Sequence, residues 1–214
     1  MKNFFKNILS SLSSFFFPAS CLICEDYLND ELFVCKKCLS NLQLHKNTDP
    51  GYIAVFQYNN SIKKLIFELK YNSRPEIGQI LGKEAAKHLS EIFNNENSIL
   101  FPVPLHKKRI KTRGYNQSLF ISKGLSEELD IPINEELIKR KKDNVSQTKV
   151  DNSDRKSNVS GIFKLDTPSL DKNIFIIVVD DLITTQATTK EIYKTLKEHG
   201  YNNFFGLCIA TSGN

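Results

Sequence analysis

The chain has no run of about 20 apolar residues, so no stretch of it is long enough to span a bilayer as a helix. It also has no Gly-x4-Gly-Lys-Ser/Thr loop, which removes the nucleotide hydrolases that hold magnesium on an acidic strand beside such a loop. A cleavable leader is not read either. Lys2 and Lys6 precede a Phe-rich run and Ala19-Ser20-Cys21 imitates a lipoprotein processing site, but Ser10, Ser11, Ser13 and Ser14 interrupt the run and Pro18 stands where Leu is usual. The expectation is a cytoplasmic protein. No side chain announces itself as a nucleophile, and no acceptor-base pocket can be named.

What is present fits one α/β domain with a small appendage: 214 residues, 40% of them hydrophobic, enough to bury a core. The net charge of +5 is unevenly placed, with 14 Lys/Arg against 8 Asp/Glu in residues 101–164, so that +6 sits there and −1 on the remainder. A basic middle of this kind suits an anionic ligand, nucleic acid or both, or is a solvated surface.

One stretch organises the chain. Ile174 to Val179 are six consecutive apolar residues rich in β-branched side chains, the pattern of a strand buried on both faces of a parallel sheet. The run stops at Asp180 and Asp181. Two adjacent carboxylates ending a buried strand need solvent, a cation or ligand hydroxyls. A Thr-rich turn follows, then a helix in which Thr188 and Glu191 have capping-box spacing, Ile192 and Leu196 share a face and Gly200 marks the stop. Ligands of open α/β sheets bind at the carboxyl ends of strands, and a helix N-terminus attracts phosphate. Carboxylates for sugar hydroxyls beside an amide and hydroxyl cradle for a phosphate make a ribose-phosphate site.

Near the other end, Cys21-Leu-Ile-Cys24 and Cys35-Lys-Lys-Cys38 are two Cys-x2-Cys knuckles, which together supply four thiolates for a structural zinc ion. Disulfides and redox pairs are the rival readings. Phe4, Phe5, Ile8, Leu9, Leu12, Phe15 and Phe16 recur at helical spacing. This predicts an amphipathic helix over 1–17, docked on its own domain or else on a partner or a membrane surface. The predicted organisation is therefore that helix, a four-cysteine module over 18–45, and a main domain over 50–214. Cys208 reads as a core residue.

Within the main domain, residues 52–58 read as a strand, and Ile62, Leu65, Ile66 and Leu69 as the buried face of a helix whose Lys63, Lys64 and Lys70 are solvated. Pro75 opens a second helix, with Ile77, Leu81, Ala85, Leu89 and Ile92 along one side. Residues 99–103 form the next strand, running into a basic loop with His106, Lys107, Arg109 and Arg113, placed where a pyrophosphate is neutralised. Ile121, Leu125 and Leu129 mark another helix, and the polar stretch 143–161 a lid or a disordered loop. Residues 162–165 and 203–209 return as strands.

The acidic strand with its Thr-rich turn resembles the phosphoribosyl-pyrophosphate loop of the type I phosphoribosyltransferases. That resemblance implies an open, mainly parallel sheet with helices on both faces, here carrying a small N-terminal zinc module. It also implies that Asp180 and Asp181 hold the ribose hydroxyls while Thr184, Thr185, Gln186, Ala187 and Thr188 wrap the 5′-phosphate, with Gln186 replacing the family's usual Gly. A narrower resemblance, to the ComF family associated with DNA uptake in natural transformation, runs over residues 18–210. It rests on the four cysteines, on Tyr58 to Lys70, on Pro104-Leu105-His106 leading to Arg113-Gly114-Tyr115-Asn116-Gln117, and on Gln147, Arg155, Asn158, Gly161 and Phe163 in the lid-like stretch. It implies phosphoribosyl pyrophosphate with Mg2+ as ligand, Leu105, His106, Lys107, Arg109 and Arg113 around the pyrophosphate, and Gln147, Lys149, Arg155 and Asn158 on a lid that excludes water. Two readings stay open: a phosphoribosyltransferase with an unidentified acceptor, and an inactive accessory that holds single-stranded DNA, with Tyr115 and Phe120 stacking on bases.

Overall fold

A computed structural model of the chain describes residues 20–28, 32–46, 51–93, 97–140, 161–166 and 170–212. The predicted helix over 1–17 and the lid residues Gln147, Lys149, Arg155 and Asn158 lie outside the described residues. In chain order the elements are α1 (Lys36–Ser40), β1 (Tyr52–Phe56), α2 (Asn60–Tyr71), α3 (Glu76–Ala86), β2 (Ser98–Pro102), α4 (Lys107–Arg113), α5 (Gln117–Leu129), β3 (Ile138–Arg140), β4 (Phe163–Leu165), β5 (Phe175–Ile183), α6 (Ala187–Glu198) and β6 (Phe204–Thr211).

Four strands pair in the order β1-β6-β5-β2, every pair parallel. Because successive side chains on a strand point to opposite faces, each inner strand feeds two cores. Ile177 and Val179 of β5 and Leu207 and Ile209 of β6 join the inward faces of α2, α3 and α5. Ile176 and Val178 join Ile192 and Leu196 of α6 and the β3–β4 hairpin. Helices therefore cover both faces, and the fold is the α/β class read from the sequence. Among the described residues, no helix is long and apolar enough to cross a membrane.

Several elements differ from the sequence reading for local reasons. The strand does not stop at Val179. It continues to Ile183 because Asp180, Leu182 and Ile183 pair with Cys208, Ala210 and Thr211 of β6. The basic loop is the helix α4, started by His106, whose Nδ1 accepts from the Lys108 amide at 3.2 Å, and ended by Gly114 at φ 86°. Helix α6 begins two residues earlier than the capping box requires: Gln186 is the cap, and Glu191 instead accepts from the Gly161 amide. Helix α3 ends at Ala86, so Leu89 is still buried but Ile92 is exposed.

The cysteine segment is fastened to the sheet domain. Leu28, Val34 and Leu42 lie in the same buried cluster as α2, α3 and α5. Residues 43–45 run along the outer edge of β1, with the His45 amide donating to Val55 O at 2.9 Å and the Gln57 amide to Gln43 O at 2.8 Å. An exposed strand edge is covered in this way.

Helices α3 and α5 touch backbone to backbone. A Cβ on Gly124 would stand 2.1 Å from the Gln79 carbonyl oxygen and 2.7 Å from the Lys83 nitrogen. Gly124→Ala is expected to cost about 1–3 kcal/mol of stability by forcing the two helices apart, measured as a lowered urea midpoint with an unchanged slope.

Candidate functional site

The last turn of β5 and the residues after it build a small hollow of about 40 Å3, lined by Asp180, Leu182, Ile183 and the whole Thr184–Thr189 turn. Thr184 and Thr185 are exposed, while Gln186, Ala187 and Thr188 are half-buried. Asp180 thus shares a hollow with the residues read as the phosphate cradle. Asp181 does not line it.

Neighbouring strand residues face opposite ways, and the two carboxylates have different partners. Asp180 Oδ1 accepts from Ser118 Oγ at 3.0 Å and from the Asp181 amide at 2.9 Å. Asp181 is buried. Its Oδ1 accepts from Gln117 Nε2 at 3.3 Å, and among the described residues Oδ2 has only the Lys70 ammonium beside it. Gln117 in turn accepts from Arg113 Nη1. These contacts follow from the start of α5, where Asn116 caps the helix through the Ser118 amide at 3.2 Å and is itself tied to Val103 O at 3.1 Å, which aims Gln117 and Ser118 at the acidic pair.

Lys70 is a correction to the sequence reading. It is not solvated: its side chain is 19% exposed and ion-paired with Asp181. It also lines a second, larger hollow of about 350 Å3 with Tyr71, Ser73, Arg109, Thr112 and Arg113. The residues read as one site therefore form two hollows, an acidic one beside the Thr-rich turn and a cationic one beside α4, whose Lys70 and, through Gln117, Arg113 both lead to Asp181, the chain neighbour of Asp180. Of the remaining pyrophosphate candidates, Leu105 and His106 are half-buried at the start of α4, and Lys107 is exposed on it. The suggestion that Tyr115 and Phe120 form a stacking platform does not survive. Tyr115 donates its hydroxyl to Leu69 O of α2 and the two rings pack edge to face at 5.5 Å, so each ring is engaged by the other.

Burial and the adjacent Asp181 carboxylate push Asp180 up to about 7 from the usual 3.8, against hydrogen bonds from the Asp181 amide and Ser118 that lower it. Gln186 has φ 57° and ψ 3°, the left-handed conformation in which a Cβ costs about 1–2 kcal/mol relative to Gly. The turn is therefore held in the shape that the usual Gly would adopt more easily.

At the N-terminal end, the sulfur atoms of Cys21, Cys24, Cys35 and Cys38 all lie within 4.8 Å of one another, and Cys24 and Cys35 are 3.8 Å apart. A tetrahedron with Zn–S bonds of about 2.3 Å has edges of about 3.8 Å, so the donor set fits a zinc ion and is far too open for a disulfide. The Ile23 and Cys35 amides each donate to Cys21 Sγ at 3.4 Å. Burial raises the Cys21 thiol, but these amides and that of Cys24 outweigh it and bring it down to about 6. Burial and the other thiols push Cys38 up, the repulsion that a central cation would relieve. With four protein ligands there is no open position, so the metal would be structural.

No family model matches the chain. Curated relatives do. Competence protein F of Haemophilus influenzae is 39% identical over 105 residues, 47% of this chain and 44% of that protein. Competence protein ComFC of Bacillus subtilis is 30% identical over 147 residues, 69% of this chain and 58% of that protein. The chain is a relative of the ComF proteins. DNA utilization protein YhgH of Escherichia coli is 28% identical over 155 residues, 69% of this chain and 66% of that protein. The chain spans less than two thirds of the length of each of these relatives. The ComF resemblance read from the cysteines and the Arg113-Gly114-Tyr115-Asn116-Gln117 motif is thereby borne out.

In this ComF relative, sequence reasoning gave no role to Lys70, Gln117 and Ser118, which contact the acidic pair. Gln117 and Ser118 were findable, since a Gln-Ser pair opening a helix after Asn116 is placed like a capped turn aimed at the sheet. For Lys70 no pattern distinguishes it from Lys63 and Lys64.

Two outcomes are expected. The purified chain will carry close to one zinc per molecule by elemental analysis, and Cys24→Ser with Cys38→Ser will abolish it. Because Asp180 keeps its proton in the folded state to about pH 7 while the unfolded chain releases it near 3.8, stability falls as pH rises through that window. Asp180→Asn should remove that fall, so that its urea midpoint gains on the wild type steadily between about pH 4 and 7.

Proposed function

We propose that this ComF relative binds phosphoribosyl pyrophosphate with Mg2+ and serves the handling of DNA during uptake. The observation that carries the ligand reading is the shared hollow of Asp180 and the Thr184–Thr189 turn at the carboxyl end of β5. Ribose hydroxyls would meet Asp180, and the 5′-phosphate would meet the turn and the free amides at the start of α6. The neighbouring cationic hollow suits the pyrophosphate, with Arg109, Arg113 and Lys70 opposing its charge. Lys70 would then leave or share its contact with Asp181, which frees that carboxylate for the ligand. The Asp180 carboxylate, carrying a burial penalty when ionised, is the hard oxygen donor beside which a magnesium ion fits. The ion would supply charge to oppose the pyrophosphate, while Asp180 and the turn would orient the sugar. His106 and Lys107, at the start of α4, complete the basic side. The setting in DNA uptake is carried by the names of the relatives, two of which are competence proteins and one a DNA utilization protein. Whether the bound sugar is transferred is read by pyrophosphate release.

Calorimetry with phosphoribosyl pyrophosphate and Mg2+ tests the assignment. Asp180→Asn should abolish the heat, and unchanged binding would defeat the site. Gln186→Gly relieves the left-handed side chain and is expected to tighten binding by up to about tenfold if the turn is less well formed in the free protein. Binding by an ionised Asp180 should also weaken as pH falls below about 7.

A further inference from the structure

Helix α2 buries Ile62, Leu65, Ile66 and Leu69 and turns Lys63, Lys64, Phe67 and Tyr71 outward. Single exposed apolar residues need no explanation, but these two aromatics are not single. Phe67 is 53% and Tyr71 66% exposed, four residues apart on one face, with ring centroids 5.0 Å apart. Cations surround them. The Arg113 guanidinium carbon lies 5.9 Å from the Tyr71 ring centroid, and Tyr71 walls the cationic hollow together with Lys70, Ser73, Arg109, Thr112 and Arg113. Helix α4, on the far side of that hollow, has the sequence KKRIKTR, five cations and no acid. The nearby carboxylates are already answered: Glu68 by Arg74 at 2.9 Å and Asp181 by Lys70.

We propose that the outer face of α2 and the facing side of α4 form a binding surface for single-stranded DNA, with Phe67 and Tyr71 stacking on bases and Arg109 and Arg113 holding the phosphates. Exposed rings beside guanidinium groups match a chain whose repeat alternates a flat apolar base with a charged phosphate. A duplex hides its base faces and offers only the charge. An anionic lipid surface would meet the cations, but the hollow of about 350 Å3 between ring and arginines is a concavity for an inserted group. The proposal shares Arg109 and Arg113 with the pyrophosphate position above and otherwise stands apart from that reading.

The test is fluorescence anisotropy of a labelled oligo-dT with the full chain. Phe67→Ala with Tyr71→Ala is expected to raise Kd about tenfold or more without changing the thermal melt, since both side chains are exposed. Arg109→Ala should reduce the slope of log K against log salt by about 0.7, the value of one phosphate contact on a single strand. Wild-type affinity in the double aromatic variant, or a duplex bound as tightly as oligo-dT, overturns the stacking surface. Binding of phosphatidylglycerol vesicles that is lost in the same variant, with no binding of oligo-dT, makes the face a membrane contact and also overturns it. Calorimetry of Phe67→Ala with phosphoribosyl pyrophosphate keeps the two sites distinct. Loss of DNA affinity with the ligand heat intact supports the surface. DNA binding in a wild type that gives no ligand heat also supports it while removing the sugar-phosphate reading.

Discussion

The arrangement depends on a carboxylate in the wrong solvent. Asp181 sits in a parallel strand at 3% exposure, and an ion of its size left there unpaired would cost several kcal/mol. Its compensation comes from two elements far apart in sequence, Lys70 at the end of α2 and Gln117 at the start of α5. That requirement pins the C-terminal turn of α2 and the N-terminal turn of α5 to one end of the sheet. Tyr115 repeats the tie by reaching Leu69 O, and Asn116 repeats it by reaching Val103 O. The rim of the sheet where ligands bind in such folds is thus fixed by polar contacts, while the apolar cores fix only the layers.

The acidic pair works through its difference. Asp180, which faces the Thr-rich turn, keeps its proton up to about 7 because of burial and its neighbour's charge, whereas Asp181 is ion-paired with Lys70. Two like charges one residue apart avoid being present together at full strength in a desolvated place. A cation or a polyhydroxyl ligand arriving at Asp180 changes that balance locally. An anion arriving at the cationic hollow changes it from the other side, through Lys70.

Much of this was legible in the sequence and some of it was not, for physical reasons. The buried strand, the inward face of α2, the four-thiolate cluster and the acidic pair beside a helix start were all readable, because each depends on residue type at a local spacing. Strand length was misread because the pairing partner that extends β5 past Val179 is β6, some 25 residues on, and no local pattern carries it. Helix α4 was read as a loop because seven residues, five of them cationic, show no apolar period; a cap at His106 and a left-handed Gly114 make it a helix instead. The helix start at Gln186 hides in the same way, since a residue with a Cβ at positive φ is chosen by the surrounding turn and not by its own preference. Lys70 is the sharpest case. Three lysines on one helix are alike in composition, and only the fold selects which of them meets a buried acid.

The four-cysteine segment contributes Leu28, Val34 and Leu42 to the cluster that also holds Ile177 and Val179. A metal ion held by its four thiolates would act as a keystone, since its grip would order side chains that the inner strands themselves lean on. Shortage of such an ion would therefore be felt at the far rim of the sheet as looser helices, and the amount of well-folded protein in a cell would track the supply of a trace element held apart from the acidic pair.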